Sequence, residues 1–313
     1  MLIREKLLAP LWPTQAPGIP DIPSTLHVVA AIATMGLLVA AAALPDDRDS
    51  ARSTSVTPPI STAHNPGRES DFGAYLGAPY HYPSDFHLKK TGVTDLTIKD
   101  IPWFTKPFDN PLYYGVRFQR WFEGGRFGTM LDFTHSKVYA PLKDERPFEG
   151  TIDGKPAPAS AKIGEYFDKL EWTHGHNMLT LNGLLRLPSL GMISPYAGVG
   201  AGLSFPHAEI HLRTDPHRTY EYQYTGPCAQ ALFGLEFRLR TGSIFIEYKF
   251  TMADYLGPLT GRDGTWYPID MWRQFSRWWK GEEPPNGWAG AKLISHQAIG
   301  GFLVRFVPKT ATP

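Results

Sequence analysis

Apolar and polar residues alternate along the chain from Leu112 onward. Between positions 195 and 205 the odd positions carry Pro, Ala, Val, Ala, Leu and Phe, whereas the even ones carry Tyr, Gly, Gly, Gly and Ser. Positions 127–134 and 229–238 repeat this period of two. Such a period is that of a β-strand, whose side chains point to opposite faces in turn. Each run is about ten residues long, the length with which a tilted strand crosses a bilayer.

The spacing of these runs predicts the fold. Short turns at 123–125, 188–193 and 240–242 alternate with long connections at 79–111, 139–176, 206–226 and 253–294. This asymmetry predicts an all-β, eight-stranded antiparallel transmembrane β-barrel with long extracellular loops and periplasmic termini. A soluble β-sandwich is the alternative, but it leaves the exposed Leu and Phe runs unexplained. The predicted strands are Asp71–Ala78, Leu112–Phe122, Arg126–Val138, Asn177–Leu187, Ser194–Phe205, Pro227–Leu239, Ser243–Met252 and Ser295–Phe306.

The N-terminal part predicts export. Leu26–Leu44 is apolar and rich in alanine, and Ala41–Ala43 offers a small-residue cleavage site before the charged Asp46 and Asp47. Residues 1–44 are therefore expected to be an extension with a signal peptide or anchor, and 45–69 a disordered linker. Residues 70–307 form the predicted barrel and 308–313 a C-terminal tail. The expected location is the bacterial outer membrane, and we expect a monomer.

The inward positions of the predicted strands carry charge. An eight-stranded barrel has an interior filled by side chains, so a network of buried ion pairs is expected in place of a pore. The formal net charge of +1 argues against a nucleic-acid partner, and the single Cys228 excludes an internal disulfide and a cysteine-based zinc site. The residues with inward parity are Arg117, Gln119, Asp132, Thr180, Asn182, Arg186, Glu236, Arg238, Glu247 and Lys249.

The sharpest local pattern is His207, Glu209 and His211. Residues at i, i+2 and i+4 of a strand share a face, and two imidazoles with a carboxylate are a common ligand set for zinc or iron. The alternative is a polar strand tip above the bilayer. These side chains face outward, at the level of the lipid headgroups, unless a bulge at Pro206 reverses them.

Other polar residues are expected near this pattern. Outward parity on neighbouring strands also includes His135, Glu171 and Glu221, which together suit either a lipid headgroup or plain exposure above the membrane. His174 and His176 have inward parity just above the fourth strand, and they form either part of a site at the barrel mouth or a loop feature.

The last long connection predicts an amphipathic helix within Ile269–Lys280. Met271, Phe275 and Trp278 share one stripe at helical spacing, with Arg273 and Arg277 beside it. A helix of this kind lies in the headgroup region or packs across the barrel mouth, and the two readings are compatible.

Five stretches, taken together, resemble the lipid A oxidase family of alphaproteobacterial outer membranes: His81–Asp85, Phe86–Lys90, Phe133–Lys137, Tyr220–Pro227 and Trp278–Pro285. The resemblance runs from about Phe72 to Phe306. It implies oxidation of the proximal glucosamine of lipid A to 2-aminogluconate, with molecular oxygen as oxidant, hydrogen peroxide as by-product and a divalent metal ion. The sequence has no glycine-rich βαβ unit for a flavin or nicotinamide, so neither cofactor is expected.

These observations combine into a hypothesis about the site. His207, Glu209 and His211 would hold the metal, while Glu221 or His135 would take a proton from the anomeric hydroxyl. Anionic groups of lipid A would meet Lys137, Arg213 and Arg218, and the headgroup would lie against Trp278 and Trp279. Secondary candidates are His174, His176 and Glu171.

Two rival functions stay open. A lipid A deacylase needs a nucleophile beside a base, but His135 and Ser136 are adjacent on a strand and so point apart. The other rival is a small structural or adhesive barrel without enzymatic activity.

Overall fold

The computed structural model describes residues 68–260 and 267–306. The predicted signal or anchor segment 1–44, nearly all of the linker and the tail 308–313 lie outside the described residues. Fifteen strands and two helices occur in the described ranges. They are β1 Glu69–His81, β2 Ser84–Lys90, β3 Thr94–Ile101, β4 Tyr114–Trp121, β5 Phe127–Tyr139, β6 Glu145–Ile152, β7 Lys155–Pro156, β8 Ser160–Lys162, α1 Ile163–Tyr166, β9 Phe167–Arg186, β10 Ile193–Ser204, β11 His207–Leu212, β12 Thr219–Tyr222, β13 Gly226–Arg238, β14 Gly242–Pro258, α2 Tyr267–Lys280 and β15 Gly287–Phe306.

The long strands pair into a closed ring. The order is β1-β4-β5-β9-β10-β13-β14-β15, and β15 returns to β1 with registered pairs from Ser70↔Phe306 to His81↔Ser295. Every pairing in the ring is antiparallel. Each predicted strand overlaps one strand of this ring, and the predicted all-β, antiparallel class is confirmed.

Charged side chains fill the interior of the ring, as parity predicts. Arg117 donates two hydrogen bonds of 2.9 Å to the carboxylate of Glu247, and the Nζ of Lys249 lies 2.6 Å from Asp132. All four side chains are fully buried. A second group near the strand ends joins Glu69 to Arg186, Arg238 and Arg305. Because each buried charge has a partner of opposite sign, the interior is a packed plug of ion pairs.

The outside of the ring is apolar. Leu181 is 63% exposed and Phe302 is 57% exposed, although both lie within long strands. An apolar outside around a charged inside is the reverse of a water-soluble barrel and suits a wall that faces lipid. Other large apolar side chains exposed on the wall are Phe72, Leu76, Val116, Phe118, Leu131, Phe233, Ile244, Ile246 and Val304.

In the described part of the chain, no helix is both long enough and apolar enough to cross a membrane.

Additional strands extend the sheet at one end of the ring, where the sequence predicted long loops. β2 pairs with the start of β15, β3 pairs with β2, and β6 pairs with β3. We call this part the cap. Its strands alternate too, so that Phe86, Leu88, Leu96 and Ile98 are all buried. The expectation of long loops is therefore wrong over β2, β3, β6, β11 and β12, and over the outer ends of β9, β14 and β15.

An apolar core holds the cap together. The outer ends of β5, β9, β14 and β15 continue beyond the ion pairs and, with β11, enclose this core. The interior thus changes from charged within the ring to apolar within the cap. Large members of the core are Phe86, Trp103, Val138, Phe148, Phe167, Leu170, Trp172, Ile210, Leu212, Tyr255 and Leu293.

The predicted amphipathic helix is confirmed by α2, which covers all of Ile269–Lys280.

Candidate functional site

The outward direction of His207 follows from the core of the cap. β11 pairs with β9 on one side and β12 on the other. Its alternate residues Ala208, Ile210 and Leu212 enter the apolar core. His207, Glu209 and His211 therefore project from the opposite, outward face. This agrees with the direction expected for a strand that Pro206 does not reverse.

Aromatic rings surround His207 on this face. The centroid of its ring lies 4.5 Å from that of Tyr220, 4.8 Å from that of Tyr222 and 4.9 Å from that of His174. We call these four residues the outer cluster. His207 is 7% exposed, and its Nδ1 atom is buried and has no hydrogen-bond partner among the described residues. A buried nitrogen without a partner is costly for folding alone and is a feature that a bound ligand can satisfy.

Gly175 separates the two histidines that flank it. Its φ of +137° breaks the alternation of β9, so His174 joins the outer cluster while His176 faces the interior. His176 is hydrogen-bonded to the Tyr255 hydroxyl, and its ring lies 5.6 Å from that of His81. The prediction that His174 and His176 share inward parity is therefore wrong for His174.

Two carboxylates lie beside the outer cluster. Glu209 on β11 and Glu171 on β9 are direct partners in the sheet register. Lys169 lies 3.1 Å from the carboxylate of Glu171, and Arg218 lies 3.3 Å from that of Glu209. Burial, together with the nearby Glu171 carboxylate, raises the pKa of Glu209 above its ordinary value. This pair can accept hydrogen bonds from hydroxyl groups and can hold a proton.

The hypothesised metal ligands do not come together. His211 contacts the backbone oxygen of Asp215 and the carboxylate of Asp168, away from His207. Side chains two residues apart on a strand are about 7 Å apart, whereas zinc ligands lie about 2.0–2.3 Å from a shared ion. Among the residues that the structure describes, no three His, Cys, Asp or Glu side chains form a group able to hold a metal ion.

The two proposed proton acceptors occupy different places. Glu221 is the register partner of Ala208, so its side chain lies on the inward face, where it accepts a 3.3 Å hydrogen bond from Gln223. The prediction of an outward Glu221 is therefore wrong. His135 does face outward: its ring stacks on Tyr114 at 4.8 Å, and its Nδ1 is hydrogen-bonded to Asn177 at 2.9 Å.

Of the three expected cationic contacts, Arg218 borders the outer cluster. Its guanidinium lies over the ring of Tyr220, 4.4 Å from the centroid. Arg213 is held by Asp168 at 2.8 Å, and the Nζ of Lys137 donates to the backbone oxygen of Asp109 at 2.9 Å. These two cations are therefore engaged elsewhere.

The two tryptophans of α2 have different surroundings. Trp278 packs against Tyr224 with ring centroids 5.5 Å apart, and Phe275 joins the same contact. Trp279 is 69% exposed. The stripe predicted from the sequence is thus the side of α2 that meets the barrel.

A belt of outward aromatic rings marks the height of the outer cluster. Phe133 stacks on Phe205 at 6.0 Å, and Tyr114 stacks on His135 one step farther along the wall. Aromatic belts mark the boundary between hydrocarbon and headgroups. His207 follows Phe205 directly on the same face, so the outer cluster lies at headgroup level. The chain forms an outer-membrane β-barrel.

Comparison with solved structures finds small outer-membrane proteins. OprG from Pseudomonas aeruginosa has 12% identity and a TM-score of 0.41, covering 78% of this chain and 97% of its own. AlkL has 13% identity and a TM-score of 0.40, and the match covers 83% of this chain and 100% of AlkL. Ail of Yersinia pestis has 13% identity and a TM-score of 0.29, and the match covers 77% of this chain and 99% of Ail. With TM-scores this low, these likenesses establish neither the fold nor the function of this chain.

No family model matches the chain, and no curated protein matches it.

The environment of His207 predicts a pH dependence. Burial, with the neighbouring His174 as the second cause, lowers the pKa of His207 from 6.5 to about 4. Between these values the unfolded chain binds a proton that the folded chain excludes, so the stability of the β11–β12 hairpin should fall as the pH falls. NMR titration of the imidazole should give a midpoint near pH 4. The protection factors of the β11 amides, corrected for the intrinsic exchange rate at each pH, should fall as the pH is lowered below 6.5. A H207Q variant should lose this pH dependence. A midpoint near pH 6.5 would contradict the described burial.

Proposed function

We propose that this outer-membrane barrel is a lipid A oxidase, which converts the proximal glucosamine of lipid A to 2-aminogluconate with molecular oxygen. One observation carries the proposal: a buried histidine with an unsatisfied nitrogen lies among aromatic rings on the outward face, at headgroup level. The glucosamine backbone of lipid A lies at that height in the outer leaflet. The sequence resemblance described above supports the same reaction.

The outer cluster suits a sugar. Tyr220 and Tyr222 offer ring faces and hydroxyl groups, both partly exposed. Glu171 and Glu209 supply acceptors for sugar hydroxyls, and Arg218 supplies a donor for an anionic substituent. Aromatic rings beside paired carboxylates and a guanidinium match the apolar ring faces, hydroxyls and negative charge of an acidic glycolipid.

In the proposed reaction His207 accepts a proton. The anomeric hydroxyl loses its proton to the imidazole, which is neutral at pH 7 because its pKa is lowered to about 4. The anomeric carbon then loses its hydrogen with two electrons as a hydride equivalent. Molecular oxygen takes up this hydride together with the proton held by His207 and becomes hydrogen peroxide, which leaves a lactone and a neutral imidazole. Water opens the lactone to 2-aminogluconate, so the lipid gains one oxygen atom in total.

The resemblance also implies a divalent metal ion. The described residues do not fit it, because they contain no group of three potential ligands. The described side chains therefore serve sugar binding and proton transfer in this proposal.

Mass spectrometry of lipid A tests the proposal. A strain that lacks the gene should regain oxidised lipid A when complemented with the natural chain or with H217A, whose histidine is exposed near the same hairpin. Complementation with H207A should lower the oxidised fraction at least 100-fold, because the proton acceptor is gone. Heat-modifiable migration of each barrel in gel electrophoresis controls for folding.

The rival functions give different spectra. Loss of an acyl chain on complementation would indicate a deacylase, and unchanged lipid A would indicate a structural barrel. Full oxidation of lipid A in the strain complemented with H207A would show that the outer cluster takes no part in the reaction.

A further inference from the structure

The helix α2 exposes two tryptophan side chains. Trp272 is 68% exposed and Trp279 is 69% exposed. Among the described residues, their aromatic contacts are with Phe275 and Trp278 of α2 itself. Seven residues make about two turns of a helix, so both indoles project from one side of α2. Two large exposed rings on one side of a helix mark a contact surface.

A different side of α2 faces the barrel. Phe275 and Trp278 pack on Tyr224, with ring centroids 5.3 and 5.5 Å from that of the tyrosine. The side chain of Gln274 accepts a 2.7 Å hydrogen bond from the backbone N–H of Tyr224. These contacts hold α2 against the segment that joins β12 to β13.

Tyr224 lies beside the aromatic belt. The residues that precede and follow it donate backbone hydrogen bonds of 2.9 Å to Pro206 and 3.1 Å to Ser204. These two partners flank Phe205, whose ring belongs to the belt. Tyr224 is thus opposite Phe205 and, like Tyr222 two residues earlier, faces outward. The helix therefore lies on the outside of the barrel, at the level where the belt meets lipid.

The cationic side of α2 faces away from the bilayer. Arg273 and Arg277 line a cleft together with Thr260. The backbone N–H of Thr260 donates to the hydroxyl of Thr219, which pairs with Ile210 of β11. Because β11 leads away from the belt, the cleft lies farther from the hydrocarbon than the contact between α2 and the wall.

The two tryptophans lie on the opposite side of α2 from these arginines. At about 100° per residue, Trp272 and Trp279 project about 90° to one side of the wall contact, and Arg273 and Arg277 project about 130° to the other. Since the arginines face away from the hydrocarbon, the indoles point along the wall toward it. The exposed tryptophans thus continue the lipid-facing surface of the barrel.

We propose that α2 is an interfacial helix that inserts Trp272 and Trp279 into the outer leaflet, at the boundary between headgroups and acyl chains. An indole prefers this boundary because it joins a large apolar face to one polar N–H group. The arginines on the other side of the helix stay at the level of the headgroups and water. This insertion requires no oxidation and does not depend on the proposed function.

Fluorescence quenching by brominated lipids tests the insertion. The full-length protein is refolded into phosphatidylcholine vesicles whose acyl chains carry bromine either near the headgroup or near the chain end. Bromine near the headgroup should quench the tryptophan emission of the natural chain. In W272F/W279F this quenched part of the emission should fall about twofold or more, because two indoles at the boundary are gone. Bromine near the chain end should show a smaller difference between the two proteins.

The matched control is W103F, which removes an indole that is buried in the core of the cap. It should leave the quenched part of the emission unchanged, and heat-modifiable migration reports whether each variant is folded. Equal quenching of W272F/W279F and the natural chain would overturn the proposal, since it would place the exposed side of α2 outside the bilayer. A larger difference with bromine near the chain end, or an equal loss of quenching in W103F, would also overturn it.

Discussion

Replacing Asp132 with alanine should destabilise the barrel by about 3–5 kcal/mol, the cost of leaving a buried charge without its partner. Asp132 accepts hydrogen bonds from Lys249 at 2.6 Å and from Gln230 at 3.1 Å, and Arg117 lies 3.4 Å away. The side chains of Asp132 and Lys249 have no solvent-accessible surface. Equilibrium unfolding in urea from refolded vesicles gives the change in the free energy of unfolding.

A double variant separates the effect of the buried charge on stability from the effect of side-chain packing. D132L/K249M removes both members of the pair, so no uncompensated ammonium is left, and its loss of stability should be much smaller than that of D132A. Near-equal losses for the single and double variants would show that packing, and not the buried ion pair, sets the stability of the interior.

Replacing Gly115 with alanine should cost about 1–3 kcal/mol, because the interior has no room for one more methyl group. A Cβ atom at this position would lie 1.9 Å from the ring of Tyr75. The ring would have to move. This would break the 2.7 Å hydrogen bond between the hydroxyls of Tyr75 and Thr134 and the 2.7 Å hydrogen bond that Lys249 donates to the Tyr75 oxygen. Urea unfolding and heat-modifiable migration report the loss.

Gly300 provides the matched control for this variant. It lies on the outward face of β15, where the nearest atom to an added Cβ is 3.7 Å away. G300A should therefore unfold at the same urea concentration as the natural chain. In a Y75A background the G115A change should cost much less than it does in the natural chain, since the clashing ring is absent. An equal cost in both backgrounds would mean that the strain lies in the backbone of β4.

Much of the wall follows from sequence because burial in a barrel repeats with period two. Arg117, Asp132 and Lys249 have inward parity on three different strands, and the structure joins them in one network. The strands of the cap were harder to find. Phe86 and Leu96 alternate in the same way, but their partners come from distant β15 and β6, and short strands flanked by turns resemble loops.

The sequence predicts the direction of a site residue only where the alternation of inward and outward positions continues from the neighbouring strand without a shift. His207 continues the phase of β10, so its outward direction was predictable. Glu221 was misplaced because the alternation shifts by one between Tyr222 and Ala229, where Gly226 has a φ of +135°. Gly175 causes a similar change between His174 and His176. The sequence around a glycine does not show whether that glycine adopts a positive φ. The place of Tyr222 beside His207 depends on the pairing of β11 with β12, which the sequence does not predict.

The seam between the first and last strands of the ring limits how a lipid can reach the protein. Twelve consecutive registered pairs join β1 to β15, so neither strand leaves free backbone groups at a gap through which an acyl chain could slip sideways. A membrane lipid must therefore stay in its leaflet and bind to the barrel from the side. Its acyl chains remain outside the barrel wall throughout.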